Sequence, residues 1–109
     1  MEPIDKLRKM LNDAGIPYED RKELFPVYMR DHMPIKSNVD MYSLNQVIYG
    51  RKTENSWKLD AVYQYGTYGR YEGLLELWGD MIPGDPITAT PEEAFEMIKK
   101  DWEGQANGQ

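Results

Sequence analysis

The segment from residue 65 to residue 73 concentrates side chains that could hold a small ligand. It places three glycines, three tyrosines and an arginine within nine residues. Glycine lets backbone N–H groups approach a ligand closely, tyrosine rings offer stacking faces for a base, and an arginine can bind a phosphate or carboxylate. The composition therefore predicts a ligand-binding loop formed by Tyr65, Gly66, Tyr68, Gly69, Arg70 and Tyr71.

A structural interpretation of the same segment stays open beside this one. Glycines also occur where a twisted hairpin needs unusual backbone angles, and tyrosines pack well across neighbouring strands. The segment matches neither the Walker motif nor the Gly-x-Gly-x-x-Gly fingerprint, and it falls between two predicted strands, where neither motif belongs. Composition alone does not choose between a ligand loop and a hairpin connection.

The remaining reactive side chains form no recognisable catalytic set. His32 is the single histidine and the chain has no cysteine, so the usual zinc ligands and a thiol nucleophile are lacking. The serines sit in turn-like contexts without a nucleophile elbow. Glu72 and Glu76 share one face of a predicted strand, but such pairs arise by chance among 19 acidic residues. We therefore expect a non-enzymatic protein with no catalytic residues, no metal site and no cofactor.

A helix is predicted near each end of the chain, and the two helices are expected to belong to the fold that positions residues 65–73. Apolar residues recur at helical spacing over residues 3–14, Pro3 suits a first turn, and Gly15 followed by an apolar residue and a proline predicts the end. Near the other end, Thr90 and Glu93 match a capping box, with Pro91 at the first helical position. Residues 104–109 look like a flexible tail behind a single domain of residues 1–103.

Between the helices, the pattern predicts short strands at 46–49, 57–65 and 74–78, followed by a brief extended stretch at 87–89. The odd-numbered residues of 57–65, including Trp57, are expected to face the core. Pro26 marks 24–29 as an edge strand or irregular segment, and 30–45 is expected to be mostly loop. The fold class is therefore α+β, with a three- to four-stranded antiparallel sheet and both helices packed on one face.

Charge and composition narrow the range of partners. The net charge is −6 and the isoelectric point is near 4.7, which disfavours direct binding to duplex DNA. The same charge is compatible with a basic protein groove, and it allows a local arginine-lined pocket for a phosphate. The absence of cysteine excludes a disulfide scaffold, and no apolar run approaches the roughly 18 to 20 residues of a membrane helix. We expect a cytoplasmic protein.

Three blocks of the chain together resemble a family of small proteins carried by bacteriophages and prophages of Gram-positive bacteria. The blocks are DKLRKMLNDAGIPY at 5–18, YGTYG with EGLLEL from 65 to 77, and TATPEEAF at 88–95. In the family the central block runs closer to Trp-Gly-Ser-Tyr-Gly, so Tyr65 replaces a tryptophan and Thr67 a serine. The resemblance implies a setting and supplies no catalytic residues.

In that setting, the resemblance implies a protein that occupies a component of the host cell, and counter-defence is the leading expectation. One form sequesters a nucleotide signal of host immunity, with the 65–71 loop as its pocket and a homo-oligomer interface as a common location for such a pocket. A second form is an acidic inhibitor that covers a basic groove of a host nuclease or other defence protein. A third alternative is an accessory phage protein with no defence role.

Overall fold

The computed structural model describes residues 1–24, 42–64, 67, 69 and 72–106. The elements are α1 (Pro3–Ala14), β1 (Glu19–Leu24), β2 (Tyr42–Thr53), β3 (Ser56–Val62), β4 (Leu75–Trp78), β5 (Ile87–Ala89) and α2 (Pro91–Ala106). The strands form one sheet in the order β1-β2-β3-β4-β5, and every neighbouring pair is antiparallel. The predicted α+β class is confirmed, with five strands in place of three to four.

Both helices begin where their local signals predict, and α1 also ends at the predicted position. Gly15 adopts a left-handed conformation (φ 70°), and its N–H and that of Ile16 bond to the carbonyls of Asn12 and Leu11. At the start of α2, Thr90 and Glu93 form a reciprocal capping box, with distances of 2.8 and 3.1 Å. α2 continues through Ala106, so the predicted tail from residue 104 is wrong in its first three residues.

The sheet is larger than predicted because two segments pair with neighbours that local patterns do not reveal. β1 has the charged sequence EDRKEL, yet it pairs along β2 from Glu19↔Ile48 to Leu24↔Tyr42. β2 starts at Tyr42, inside the stretch that was expected to be loop. The structure places β5 where the extended stretch was predicted. Residues 25–41, which include Pro26 and His32, lie outside the described residues.

The core lies between one face of the sheet and the two helices, which also contact each other. It consists of Ile4, Leu7, Leu11, Ile16, Val47, Tyr49, Leu59, Ala61, Tyr63, Leu75, Leu77, Ile82, Ala89, Ala94 and Ile98. The other face carries Asp60 and Val62 of β3 and their register partners Trp78 and Glu76 of β4. In the described part of the chain, no helix is both long and apolar enough to cross a membrane.

The prediction that Trp57 packs into this core is wrong. The carbonyls of Trp57 and Lys58 both accept hydrogen bonds from the β4–β5 connection, at Asp80 N (3.0 Å) and Met81 N (2.8 Å). In a regular strand, successive carbonyls point to opposite neighbours, so the backbone is irregular here. As a result, Lys58 reaches α2 while the Trp57 ring contacts Trp78 on the opposite face.

Candidate functional site

Two tryptophans form the wall of a cleft on the sheet face that the helices leave uncovered. The ring centroids of Trp57 and Trp78 are 6.2 Å apart and the planes meet at 77°, an edge-to-face contact. Trp78 remains 47% exposed, which is unusual for so large an apolar side chain. We call this the aromatic cleft; its volume is about 210 Å³ and it is lined by Asn55, Ser56, Trp57, Trp78, Gly79, Asp80, Ile82 and Gly84.

Gly79 allows the β4–β5 connection, which supplies part of the cleft, to lie close to the backbone of β3. Gly79 has a φ of 132°, and a Cβ atom at this position would lie 2.6 Å from the Lys58 carbonyl oxygen. Only glycine allows this approach, which lets the β4–β5 connection bond to the backbone of Trp57 and Lys58. The connection thereby contributes Asp80 and Ile82 to the lining of the cleft that Trp57 also lines.

Two positively charged side chains, Arg51 and Lys52, lie beside the aromatic cleft. The Arg51 guanidinium carbon lies 5.3 Å from the centroid of the Trp57 ring, a cation–π contact. Arg51 also binds both carboxylate oxygens of Glu19, at 2.6 and 2.7 Å, and this pairing lowers the pKa of Glu19. Lys52 Nζ is 2.7 Å from Asp80 Oδ2, and both side chains are half exposed. The cleft is therefore bordered by two cations in a chain whose net charge is −6.

A buried carboxylate lies on the same sheet face as the two tryptophans. Asp60 is 5% exposed and pairs directly with Trp78 in the register of β3 and β4. Burial raises its pKa to about 6, although hydrogen bonds from Gln46 and Trp78 act in the opposite direction. Trp57 Nε1 and Asp60 Oδ1 are buried without a well-formed hydrogen bond among the described residues. The indole N–H still lowers the Asp60 pKa, so the two groups attract each other.

A second polar cluster lies on the helix-covered face and is fully engaged in internal contacts. Asp101 Oδ2 accepts hydrogen bonds from Tyr49 (2.5 Å), Lys58 (2.9 Å) and Gln105 (2.7 Å). Burial and the adjacent carboxylate raise the pKa of Tyr49 well above its usual value. Burial also raises the pKa of Asp101, but the hydrogen bonds outweigh this and hold it below its usual value. This cluster fixes the end of α2 to the sheet.

The sequence-predicted ligand loop falls mainly outside the described residues. Tyr65, Gly66, Tyr68, Arg70 and Tyr71 belong to that group, so their roles stay predictions. Gly69 is described; its φ is 78°, and its carbonyl accepts from Glu72 and Leu74. A Cβ on Gly69 would lie 2.8 Å from the Leu74 Cβ, so the glycine serves a tight turn.

Gly69, the described residue of the predicted loop set, lies away from the aromatic cleft along β4. Its carbonyl accepts a hydrogen bond from Leu74, next to the first residue of β4, whereas the cleft follows Trp78, the last residue of β4.

A sequence signal for the aromatic cleft did exist in β4. Leu75 and Leu77 are buried while Glu76 and Trp78 are less so, an alternation that assigns Trp78 to the face away from the core. No comparable signal marks the irregular backbone that moves Trp57 to the same face. Within the described residues, no group of three or more histidine, cysteine, aspartate or glutamate side chains is arranged to hold a metal ion.

Comparison of the chain with protein-family models, with curated proteins and with solved structures found no match. The function is therefore argued from the chemistry of the cleft.

Proposed function

We propose that this protein works by binding: it is a phage accessory protein that sequesters a nucleotide signal of host immunity and holds the base in the aromatic cleft. The observation that carries the proposal is the half-exposed Trp78 ring, set edge-to-face against Trp57 in a cleft of about 210 Å³. Stacking of a base on an aromatic side chain contributes roughly 1 to 3 kcal/mol and requires only an accessible ring face.

The cations beside the cleft support a ligand that combines a planar ring with a phosphate. Lys52 contacts Asp80 through one carboxylate oxygen and is half exposed, so its ammonium group has N–H donors left for an anion. The Arg51 guanidinium already donates hydrogen bonds to Glu19 and to the carbonyls of Thr53 and Glu54. In this arrangement Lys52 is the principal phosphate contact, and Arg51 stiffens the Trp57 side of the cleft.

An inhibitor that binds a host protein is the second candidate, and the exposed apolar side chains favour it. Besides Trp78, Ile87 is 43% exposed, and tryptophan is a frequent anchor of protein interfaces. The acidic side chains give this candidate less support, because many of them are neutralised by ion pairs. Those in ion pairs include Asp5, Asp13, Glu19, Asp20, Asp80, Glu92 and Asp101.

A thermal-shift screen against mononucleotides and cyclic di- and trinucleotides tests the proposal. A ligand at 100 times its dissociation constant adds about 2.7 kcal/mol, which raises the midpoint of a domain of this size by roughly 10 to 20 °C. Trp78→Ala should abolish the shift, whereas Ile87→Ala, a matched exposed apolar residue outside the cleft lining, should retain it.

The same screen separates the cleft from the predicted loop. If Arg70→Ala abolishes the shift and Trp78→Ala does not, the ligand binds at the loop and the cleft assignment is wrong. If no nucleotide shifts the midpoint of the unmodified protein, nucleotide sequestration is wrong and the inhibitor candidate takes its place.

A further inference from the structure

The charged side chain in the lining of the aromatic cleft offers a ligand hydrogen-bond acceptors. Asp80 is the charged residue of the lining, and an ionised carboxylate only accepts. Lys52 binds its Oδ2 atom, which leaves Oδ1 for a ligand. The Ser56 hydroxyl is shared with the Thr53 hydroxyl at 2.8 Å. A ring that stacks on Trp78 with its edge towards Asp80 therefore needs N–H donors on that edge.

The nucleobases differ in how many donors they present on one edge. The Watson–Crick edge of guanine carries two adjacent donor groups, N1–H and the N2 amino group, which a carboxylate can accept side by side. Adenine and cytosine each present one amino donor next to a ring-nitrogen acceptor, and that acceptor would repel the carboxylate. Uracil presents one N–H between two carbonyl acceptors. Guanine is therefore the base whose edge best matches a carboxylate.

We infer that the aromatic cleft selects guanine nucleotides, with Asp80 as the residue that determines specificity. The inference rests on the proposed function, because it names the ligand class of the same site. A site that holds a base edge by hydrogen bonds discriminates against analogues that lack the donors. Because the Asp80 side chain is half exposed, the expected preference is moderate. Trp78 supplies stacking affinity for any base, and Asp80 supplies the preference among bases.

The test is a competition of four nucleoside 5′-monophosphates for the full chain, with guanine, hypoxanthine, adenine or cytosine as the base. The phosphate is common to all four, so affinity ratios report the base alone. We expect the guanine nucleotide to bind at least about 10-fold more tightly than the adenine nucleotide, equivalent to about 1.4 kcal/mol. Hypoxanthine, which lacks the N2 amino group, should fall between them.

Three variants test whether the Asp80 carboxylate causes the preference for guanine. Asp80→Asn should reduce the guanine-to-adenine ratio to about 1 or below, because an amide pairs well with adenine. Lys52→Met removes the ion pair but keeps the carboxylate, so the ratio should persist. Asp85→Asn removes a nearby exposed charge outside the cleft lining and should also leave the ratio unchanged.

The outcomes distinguish this inference from the function on which it rests. Equal affinities for all four nucleotides, lost in Trp78→Ala, would overturn guanine selection and leave nucleotide binding standing. A guanine preference that survives Asp80→Asn would overturn the role of Asp80. If none of the four nucleotides binds while a cyclic oligonucleotide does, the inference fails in its mononucleotide form and the proposed function holds.

Discussion

At the scale of single residues, Asp60 shows that the sheet face opposite the helices contains a buried ionisable group. Its carboxyl group is 5% exposed and lies next to Gln46, Trp57 and the Trp78 backbone. Burial in surroundings with few donors disfavours the charged form, and the negative charge of Glu76 acts in the same direction. The fold therefore keeps a titratable group beside the aromatic cleft with a pKa of about 6.

Asp60 should make the fold more stable in mild acid than at neutral pH. Its folded pKa of about 6 exceeds the reference value of 3.8, so the folded state binds the proton more tightly than the unfolded state. Its contribution is fully present below about pH 4 and is lost as the pH rises through 6. The loss is up to about 3 kcal/mol, at roughly 1.4 kcal/mol for each pKa unit.

Urea unfolding of the unmodified protein and of Asp60→Asn between about pH 4 and pH 7 measures this contribution. The stability of the variant relative to the unmodified protein should rise with pH, because the amide does not titrate. The other carboxyl groups are common to both proteins and cancel in the difference. A difference that is constant over the range would contradict the perturbed pKa of Asp60.

At the scale of secondary-structure elements, one arginine joins three of them. Arg8 of α1 is nearly buried; its guanidinium donates to Asp5 (2.9 Å) in its own helix, to Asp20 (2.8 Å) in β1 and to Asn45 (2.7 Å) in β2. Asn45 is 2% exposed and has little access to water as an alternative partner. The planar guanidinium spreads its N–H donors over three nitrogens and so reaches these three separate acceptors, whereas the donors of a lysine all lie on a single nitrogen.

Arg8→Met should therefore lower the free energy of unfolding by roughly 2 to 3 kcal/mol, since it leaves the buried Asn45 oxygen without its donor and removes the ion pairs with Asp5 and Asp20. Arg8→Lys should recover less than half of this loss. Lys9→Met is the matched control, because the ion pair of Lys9 with Asp13 is solvent-exposed and should contribute less than about 0.5 kcal/mol. Urea unfolding measures all three, and an Arg8→Met variant as stable as Lys9→Met would show that the network is dispensable.

The elements that the sequence predicts are those specified by local chemistry. Gly15 and the Thr90–Glu93 capping box set helix ends through contacts within a few residues, and both were found from the sequence. β1 was missed because its charged residues pair with distant partners, such as Asp20 with Arg8 and Glu19 with Arg51. No pattern within six residues contains that information.

The candidate site was predictable only in part, for the same reason. Composition pointed to the loop at 65–71, which remains a prediction. The aromatic cleft depends on the irregular backbone at Lys58 and on the closeness of Gly79 to it, features created when β3 and the β4–β5 connection meet. Alternation in β4 could have placed Trp78 on the outer face, but its contact with Trp57 is a tertiary feature.

At the scale of the whole molecule, one core supports both sheet faces. Buried side chains from α1, α2, β2, β3, β4 and β5 form a single cluster between the sheet and the helices. Trp102 packs against this cluster from α2, whereas Trp57 and Trp78 lie on the other face. The fluorescence of the three indole rings therefore reports on both faces of the same sheet.

If this single core controls folding, both faces should unfold together. In Trp102→Phe, fluorescence excited at wavelengths that tyrosine does not absorb arises from Trp57 and Trp78 alone, so it follows the cleft face. Far-ultraviolet circular dichroism follows the helices and strands. We expect the two urea transitions to coincide in midpoint and slope, as in two-state unfolding of a small domain. An earlier fluorescence transition would mean that the cleft face opens before the core. The aromatic cleft would then be a separately stabilised unit, and a bound nucleotide would raise its midpoint without raising that of the helices.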